Sequence, residues 1–219
     1  MYIMRFLCTL TVLGFILIAS AAHSQRIGHP SFITVIDDVK VQAFVAVEGR
    51  KILAVTKNRN KAKDYRFYLA EFKGRPWAGM ASGNHIIYIR YKDARNAHLN
   101  RNRQSYLPVL RQILAHEIAH DILRHPNYRS YSSAQELAAD RLGIILWKRL
   151  GWDCSFWVRV YENMKERGIT DTLHRTDLQL LQAKNLCPEA EDRKREAVNK
   201  ELRELELLEQ QLKQSSPPN

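Results

Sequence analysis

The feature that most constrains this 219-residue chain is the sequence His-Glu-Ile-Ala-His at positions 116–120. Residues four apart on a helix lie on one face, so the imidazoles of His116 and His120 can point to one place. Neutral imidazole is a good ligand for Zn²⁺, which prefers four nitrogen, oxygen or sulfur ligands. Glu117 is displaced around the helix, so its carboxylate can hydrogen-bond a water rather than the metal. The motif therefore predicts a helix that binds one zinc ion.

A catalytic zinc site also needs a third protein ligand and one open position. Leu123 and Pro126 stand where a longer histidine motif would require glycine and histidine. The sequence Glu-Leu-Ala-Ala-Asp at 136–140 places two carboxylates one helical turn apart, after a connection that allows this helix to fold back. We expect Glu136 to be the third ligand and Asp140 to accept a hydrogen bond from a ligand histidine, which fixes the ring. In the alternative interpretation Glu136 only caps its helix.

The hydrophobic pattern predicts an α+β fold, in which a small amino-terminal β region precedes a mainly helical core. In the clearest strand, Ile87 and Ile89 share one face, and Ile86, Tyr88 and Arg90 share the other. This strand is a candidate sheet edge for an extended substrate, or else an ordinary core strand. The predicted strands are 32–36, 41–47, 51–55, 65–72 and 85–91.

The second half of the chain is predicted to be helical. A helix begins near Ser105 and ends at His125-Pro126. The next begins at a capping box formed by Ser132 with Gln135, or by Ser133 with Glu136, and ends at Gly151. Further helices are predicted at 154–167 and 175–185. The segment 188–219 is predicted to be a charged helical arm with a frayed tail, so the folded domain spans 25–187.

The first 24 residues have the layout of a secretory signal peptide. Arg5 precedes an apolar run, and small residues follow it before a cleavage point near residues 22–24. The alternative is an uncleaved anchor, although its 17 uncharged residues fall short of the roughly 20 that span a bilayer comfortably. We therefore expect an exported protein, periplasmic or secreted. In such a compartment Cys154 and Cys187 are either a disulfide or two buried thiols.

The formal net charge is +11, and the basic residues are unevenly spread. Residues 50–103 contain fourteen lysines or arginines and three acids. In an exported protein this excess indicates peripheral contact with an anionic membrane or envelope surface, or simply a solvated basic face. No nucleic-acid partner is expected, because the chain has a signal peptide and no recognisable nucleic-acid-binding motif.

Taken together, the 116–120 motif, the Glu136–Asp140 pair and the glycine-terminated sequence 141–153 resemble the gluzincin peptidases that include HtpX proteases and CAAX prenyl endopeptidases. The resemblance covers about residues 70–185 and implies a zincin-type catalytic core. Signal-bearing relatives in that family act in envelope protein quality control. The sequence Thr172-Leu173-His174 stands where the family commonly has Thr-His-Pro, which implies that His174 contacts the oxyanion or covers the metal.

The resemblance implies a zinc metalloendopeptidase that hydrolyses polypeptides in the envelope or outside the cell. Glu117 would act as the general base, and His174, or failing that Tyr128 or Tyr131, would donate a hydrogen bond to the developing oxyanion. One alternative is a non-hydrolytic envelope chaperone or adaptor that carries zinc. Another is a latent enzyme in which His174 or His125 fills the open metal position.

Overall fold

The computed structural model of the protein describes residues 29–100, 106–125, 131–169 and 176–189. These residues form an α+β fold, in which a four-stranded sheet is built from the amino-terminal part and the remainder is mainly helical. The predicted fold class is confirmed at this level. The predicted signal peptide at 1–24, His174, and the charged arm from residue 190 onward lie outside the described residues.

The sheet is mixed, and its strand order differs from the chain order. The strands are β1 (Ile33–Ile36), β2 (Arg66–Phe72), β3 (Gly79–Ala81) and β4 (Ile86–Arg90). Strand β2 pairs with β1 in the antiparallel sense and with β4 in the parallel sense, while β3 pairs antiparallel with β4. The order β1-β2-β4-β3 therefore leaves β3 at one edge and β4 inside the sheet. Of the two interpretations of the 85–91 strand, the ordinary core strand is confirmed and the sheet edge is wrong.

The predicted strands at 41–47 and 51–55 are also wrong, because this segment is one helix, α1 (Val39–Ala54). Asp38 caps it by accepting a hydrogen bond from the backbone N–H of Val41 at 3.1 Å. The residues that α1 buries recur at helical spacing: Val41, Val45, Glu48, Gly49, Ile52 and Leu53. Burial of this face outweighs the strand propensity of its valines and isoleucine, which is a weak preference.

The other helices follow the sheet along the chain. Helix α2 (Tyr91–Leu99), which the sequence analysis did not predict, continues directly from β4, and a 3₁₀ helix covers Arg59–Asp64. The four predicted carboxy-terminal helices of the core are present. They are α3 (Tyr106–Ile122), α4 (Ser133–Arg149), α5 (Ser155–Glu166) and α6 (Thr176–Leu186).

The core lies between one face of the sheet and the helices. Ile87 and Ile89 are fully buried in this main cluster with side chains from α1, α3, α4 and α5. Tyr88 points to the opposite face, where it packs in a smaller cluster with Phe72 and Met80. The alternation predicted for β4 is therefore confirmed.

A disulfide joins the ends of the last two described helices. Cys154, just before α5, is bonded to Cys187, just after α6, and their Cα atoms lie 5.8 Å apart. This decides between the two possibilities that the sequence left open. Within the residues that the structure describes, no helix is both long and apolar enough to cross a membrane.

Candidate metal site

The site is built where α3 and α4 pack against each other. Helix α4 begins at the capping box of Ser132 and Gln135, one of the two that the sequence offered. Gly143 allows the close approach, since an added Cβ would lie 3.5 Å from the Ala115 backbone and 3.1 Å from the Trp157 ring. The first turns of α4 consequently lie beside the last turns of α3, and the connection folds back as predicted.

Three side chains from these helices converge on one point. The Nε2 atoms of His116 and His120 are 3.0 Å apart. The Oε2 atom of Glu136 lies 3.1 Å from the first and 3.6 Å from the second. All three ligand atoms lie within 4.8 Å of one another, and His120 and Glu136 are buried. This group can hold a metal ion, and it contains the three residues that the sequence predicted as ligands.

The electrostatics of the site leave His120 and Glu136, but not His116, in forms that offer electron pairs to a cation. Burial lowers the pKa of His120 to about 4, so this imidazole is neutral. Burial alone would raise the pKa of Glu136, but hydrogen bonds with His116 and His120 hold it well below its ordinary value. Burial likewise opposes a proton on His116, yet hydrogen bonds with Asp140 and Glu136 raise its pKa well above the usual value. A cation would compete with that proton.

Asp140 lies behind the site and contacts the far nitrogen of a ligand histidine. Its Oδ1 atom is 2.8 Å from Nδ1 of His116 and its side chain is almost fully buried. This is the position that the sequence predicted for it. The other oxygen, Oδ2, accepts a hydrogen bond from the side-chain amide of Gln179 on α6 at 2.6 Å. Gln179 was not predicted, because nothing in its local sequence signals a contact with a residue 39 positions away.

The second ligand histidine is also held from behind. Nδ1 of His120 lies 2.8 Å from Nδ1 of His125, so one of these nitrogens donates to the other. The ring of Tyr131 stacks on the His120 ring, with centroids 3.9 Å apart and planes 15° apart. The Tyr131 hydroxyl donates to the carbonyl of Ala81 in β3 at 2.9 Å. His125 Nδ1 thus faces the outer nitrogen of His120 and not the point where the three ligand atoms meet.

Glu117 is buried on the side of α3 that faces the edge strand. A Cβ atom built on Gly79 of β3 would lie 2.9 Å from its Oε1 atom. Burial raises the pKa of Tyr131, and the charges of Glu117 and Glu136 raise it further. The charge of Glu117 also contributes to the raised pKa of His116, after burial and the hydrogen bonds described above. Its charge therefore acts on the His116 ring, although Glu117 is not one of the three residues whose ligand atoms converge.

The residue after His120 fixes the β3–β4 turn to the metal-binding helix. Asp121 accepts hydrogen bonds from the backbone N–H of His85 at 3.1 Å and from its ring Nδ1 at 2.7 Å. The turn places Asn84 and His85 in the left-handed region, with φ of 50° and 63°. The ring of Tyr65 covers the His85 ring at 4.5 Å between centroids. Neither motif of the sequence predicts this contact between Asp121 and His85.

Two of the residues proposed from sequence as oxyanion donors, His174 and Tyr128, lie outside the described residues. The third, Tyr131, lies beside the site as described above. Comparison of the chain with protein-family models and with curated proteins finds no match.

Proposed function

We propose that this chain is a zinc-dependent metalloendopeptidase of the gluzincin type that acts on exported or envelope proteins. The observation that carries the proposal is the convergence of His116, His120 and Glu136 on one point. The next residue of the same helix is Glu117, whose charge acts on the His116 ring. Two imidazoles and one carboxylate make a ligand set that is typical of catalytic zinc, which keeps one position for water or substrate.

The spacing of the three ligand atoms fits zinc. Zinc–nitrogen and zinc–oxygen bonds of roughly 2.0–2.2 Å in a tetrahedron separate neighbouring ligand atoms by about 3.3 Å. The observed separations are 3.0, 3.1 and 3.6 Å. When bound, zinc would supply Lewis-acid chemistry: it lowers the pKa of a coordinated water and polarises a peptide carbonyl.

Glu117 would act as the general base and acid. Its carboxylate accepts a proton from the attacking water and delivers the proton to the leaving amine. Asp140 holds Nδ1 of His116, so the Nε2 lone pair of that ring faces the other ligand atoms. Nδ1 of His120 is likewise paired, with Nδ1 of His125. Glu117 follows His116 in the sequence and is not one of the three ligand residues, so we assign the proton transfer to its carboxylate.

Among the described residues no second strand pairs with β3 beyond β4, and this edge supports binding of an extended polypeptide. Ala78 and Ser82 hydrogen-bond to β4, with Arg90 N to Ala78 O at 2.9 Å and Ser82 N to Ile86 O at 3.0 Å. Because pairing alternates in an antiparallel ladder, the backbone groups of Gly79 and Ala81 point away from β4, where the Ala81 carbonyl already accepts from Tyr131. A substrate strand paired there would pass Glu117 and Tyr131. Main-chain pairing of this kind gives affinity with little sequence selectivity.

The test is the substitution Glu117→Gln, assayed with casein as substrate and by metal analysis. We expect hydrolysis to fall by at least about 100-fold, as is typical when a general base is lost. Zinc content should stay near one ion per chain, because Glu117 is not in the ligand group.

His120→Ala serves as the control, and it should lose both zinc and activity. Full hydrolysis by Glu117→Gln would overturn the mechanism. A wild-type protein that binds zinc but cleaves neither casein nor envelope proteins would favour the non-hydrolytic chaperone or adaptor instead.

A further inference from the structure

The Asp140 carboxylate is shared between two partners on different helices. Oδ1 contacts His116 Nδ1 on α3 at 2.8 Å, while Oδ2 accepts from the Gln179 amide on α6 at 2.6 Å. Burial, and then the charge and hydrogen bonding of Asp140, raise the pKa of Tyr161 on α5 well above its usual value. Asp140 is 2% exposed, so water does not compete effectively for either oxygen.

Gln179 carries a free-energy cost of burial that a purely structural role in the core would not require. It is 2% exposed, and its amide oxygen Oε1 has no hydrogen-bond partner among the described residues. Burying a carbonyl oxygen without a partner is unfavourable, and such atoms in folded proteins are few and often mark functional sites. An apolar side chain of the same length would avoid this cost. What Gln179 contributes in return is one hydrogen bond to Asp140.

We propose that Gln179 is a positioning residue for the metal site, acting through Asp140 on His116. By occupying Oδ2, its amide fixes the rotation of the carboxylate and leaves Oδ1 directed at the imidazole. That contact keeps the proton on Nδ1 and the lone pair on Nε2, the nitrogen that faces His120 and Glu136. Supporting groups of this kind tune metal affinity by about 10- to 100-fold. The inference rests on the proposed zinc site but not on hydrolysis.

The same helix provides a matched control. Gln182 lies one turn after Gln179 and also joins α6 to α4, because its amide donates to the carbonyl of Leu137 at 2.9 Å. It makes an interhelical hydrogen bond of similar kind without touching Asp140. A role of Gln179 that only ties two helices together would therefore be shared by Gln182.

The experiment measures Zn²⁺ affinity by competition with a chelator in the full-length protein, together with the visible spectrum of the Co²⁺-loaded form. We expect Gln179→Met to weaken Zn²⁺ binding by about 10-fold, at the low end of the range for supporting groups, and to change the Co²⁺ spectrum. Gln182→Met should leave both unchanged. In an Asp140→Ala background, Gln179→Met should have no further effect.

Equal losses of Zn²⁺ affinity in the two methionine variants would overturn the inference, as would an undiminished effect of Gln179→Met in the Asp140→Ala background. A wild-type protein that binds no Zn²⁺ would overturn both this inference and the proposed function. Unchanged affinity in Gln179→Met would overturn the inference alone. Weakened Zn²⁺ binding in a protein that cleaves no casein would support it while contradicting the peptidase proposal.

Discussion

Gly79 is the residue on which the close approach of β3 to helix α3 depends. A Cβ atom at this position would lie 2.7 Å from Cγ2 of Ile113 and 2.8 Å from Cγ of Glu117. Both distances are shorter than real contacts of a Cβ atom. Any side chain at position 79 must therefore displace either the edge strand or the side chains of Ile113 and Glu117.

We predict that Gly79→Ala reduces hydrolysis more than it reduces the folded fraction. Overpacking of this kind costs about 1–3 kcal/mol of folding stability, and here the displaced group is the proposed base. Zinc content should be retained, since none of the three ligands is among the atoms that the new Cβ would meet. Casein hydrolysis per folded molecule, with the folded fraction taken from circular dichroism, checks this prediction.

Gly49→Ala is the matched control, because its Cβ would lie 2.3 Å from Cζ of Phe67 and away from the ligand group. It should lose stability but keep its hydrolysis per folded molecule. If the two alanine variants show the same activity per folded molecule, Gly79 has no special relation to Glu117.

The sequence predicts the site residues that lie within the motifs at 116–120 and 136–140, and it misses the contacts that residues outside them make. Helical spacing places His116, His120, Glu136 and Asp140 on facing sides of two helices once these helices pack. Gln179 could not be found in this way, because its contact with Asp140 depends on the packing of a helix much later in the chain. Stacking of Tyr131 on His120 depends in the same way on tertiary structure. A single sequence shows how residues are spaced along one helix, but it does not show which residues of distant elements come into contact.

At the scale of the elements, α1 shows why propensity misleads. Its valines and isoleucine favour a strand, and Glu48-Gly49 is typical of a turn. In the structure these two residues lie inside the helix and join it to neighbouring elements. Gly49 lets α1 approach Phe67, and Glu48 forms ion pairs with Lys51 and with Arg111 of α3. The helical spacing of the buried residues was present in the sequence but was weaker than the turn signal.

We predict that the free energy of unfolding of Glu48→Gln falls less than that of the wild-type protein as the pH is lowered into the acid range. Burial raises the pKa of Glu48, but hydrogen bonds from Lys51 and Arg111 outweigh it and lower the pKa below the ordinary 4.5. The charged carboxylate thus stabilises the fold above pH 4.5, and this contribution is lost as the pH falls through the lowered pKa. Removing the charge should cost about 2–3 kcal/mol at pH 7, somewhat less than a fully buried pair.

Urea denaturation of wild type and variant between pH 7 and pH 3 tests this, and the difference in unfolding free energy should shrink at acid pH. Glu71→Gln is the control, because this carboxylate is exposed on β2 and its loss should change stability by less than about 0.5 kcal/mol. A difference between wild type and Glu48→Gln that stays constant over the whole pH range would contradict the prediction.

At the scale of the whole molecule, the disulfide closes the carboxy-terminal part of the core. Cys154 and Cys187 are 33 residues apart in sequence and nearly fully buried. A loop of this length restricts the unfolded chain enough to stabilise the fold by about 3–4 kcal/mol. We predict that reduction lowers the melting temperature of the wild-type protein, as measured by calorimetry with and without reductant.

The variant with both Cys154→Ala and Cys187→Ala is the control, and its melting temperature should be unaffected by reductant. A wild-type melting temperature that does not respond to full reduction would show that the cross-link contributes nothing to stability.

The disulfide also joins the beginning of α5 to the end of α6, the helices that carry Tyr161 and Gln179.

The anchor between Asp121 and His85 has a consequence for the peptides that the proposed peptidase would accept. Because the turn before β4 is hydrogen-bonded to the residue after His120, the β3–β4 hairpin is tied to α3. A substrate laid along β3 would then meet a strand that does not move apart from α3 to admit bulky or kinked chains. Peptides that remain extended beside the strand would be favoured over folded ones, so selection would act on the local unfolding of a target more than on its side chains.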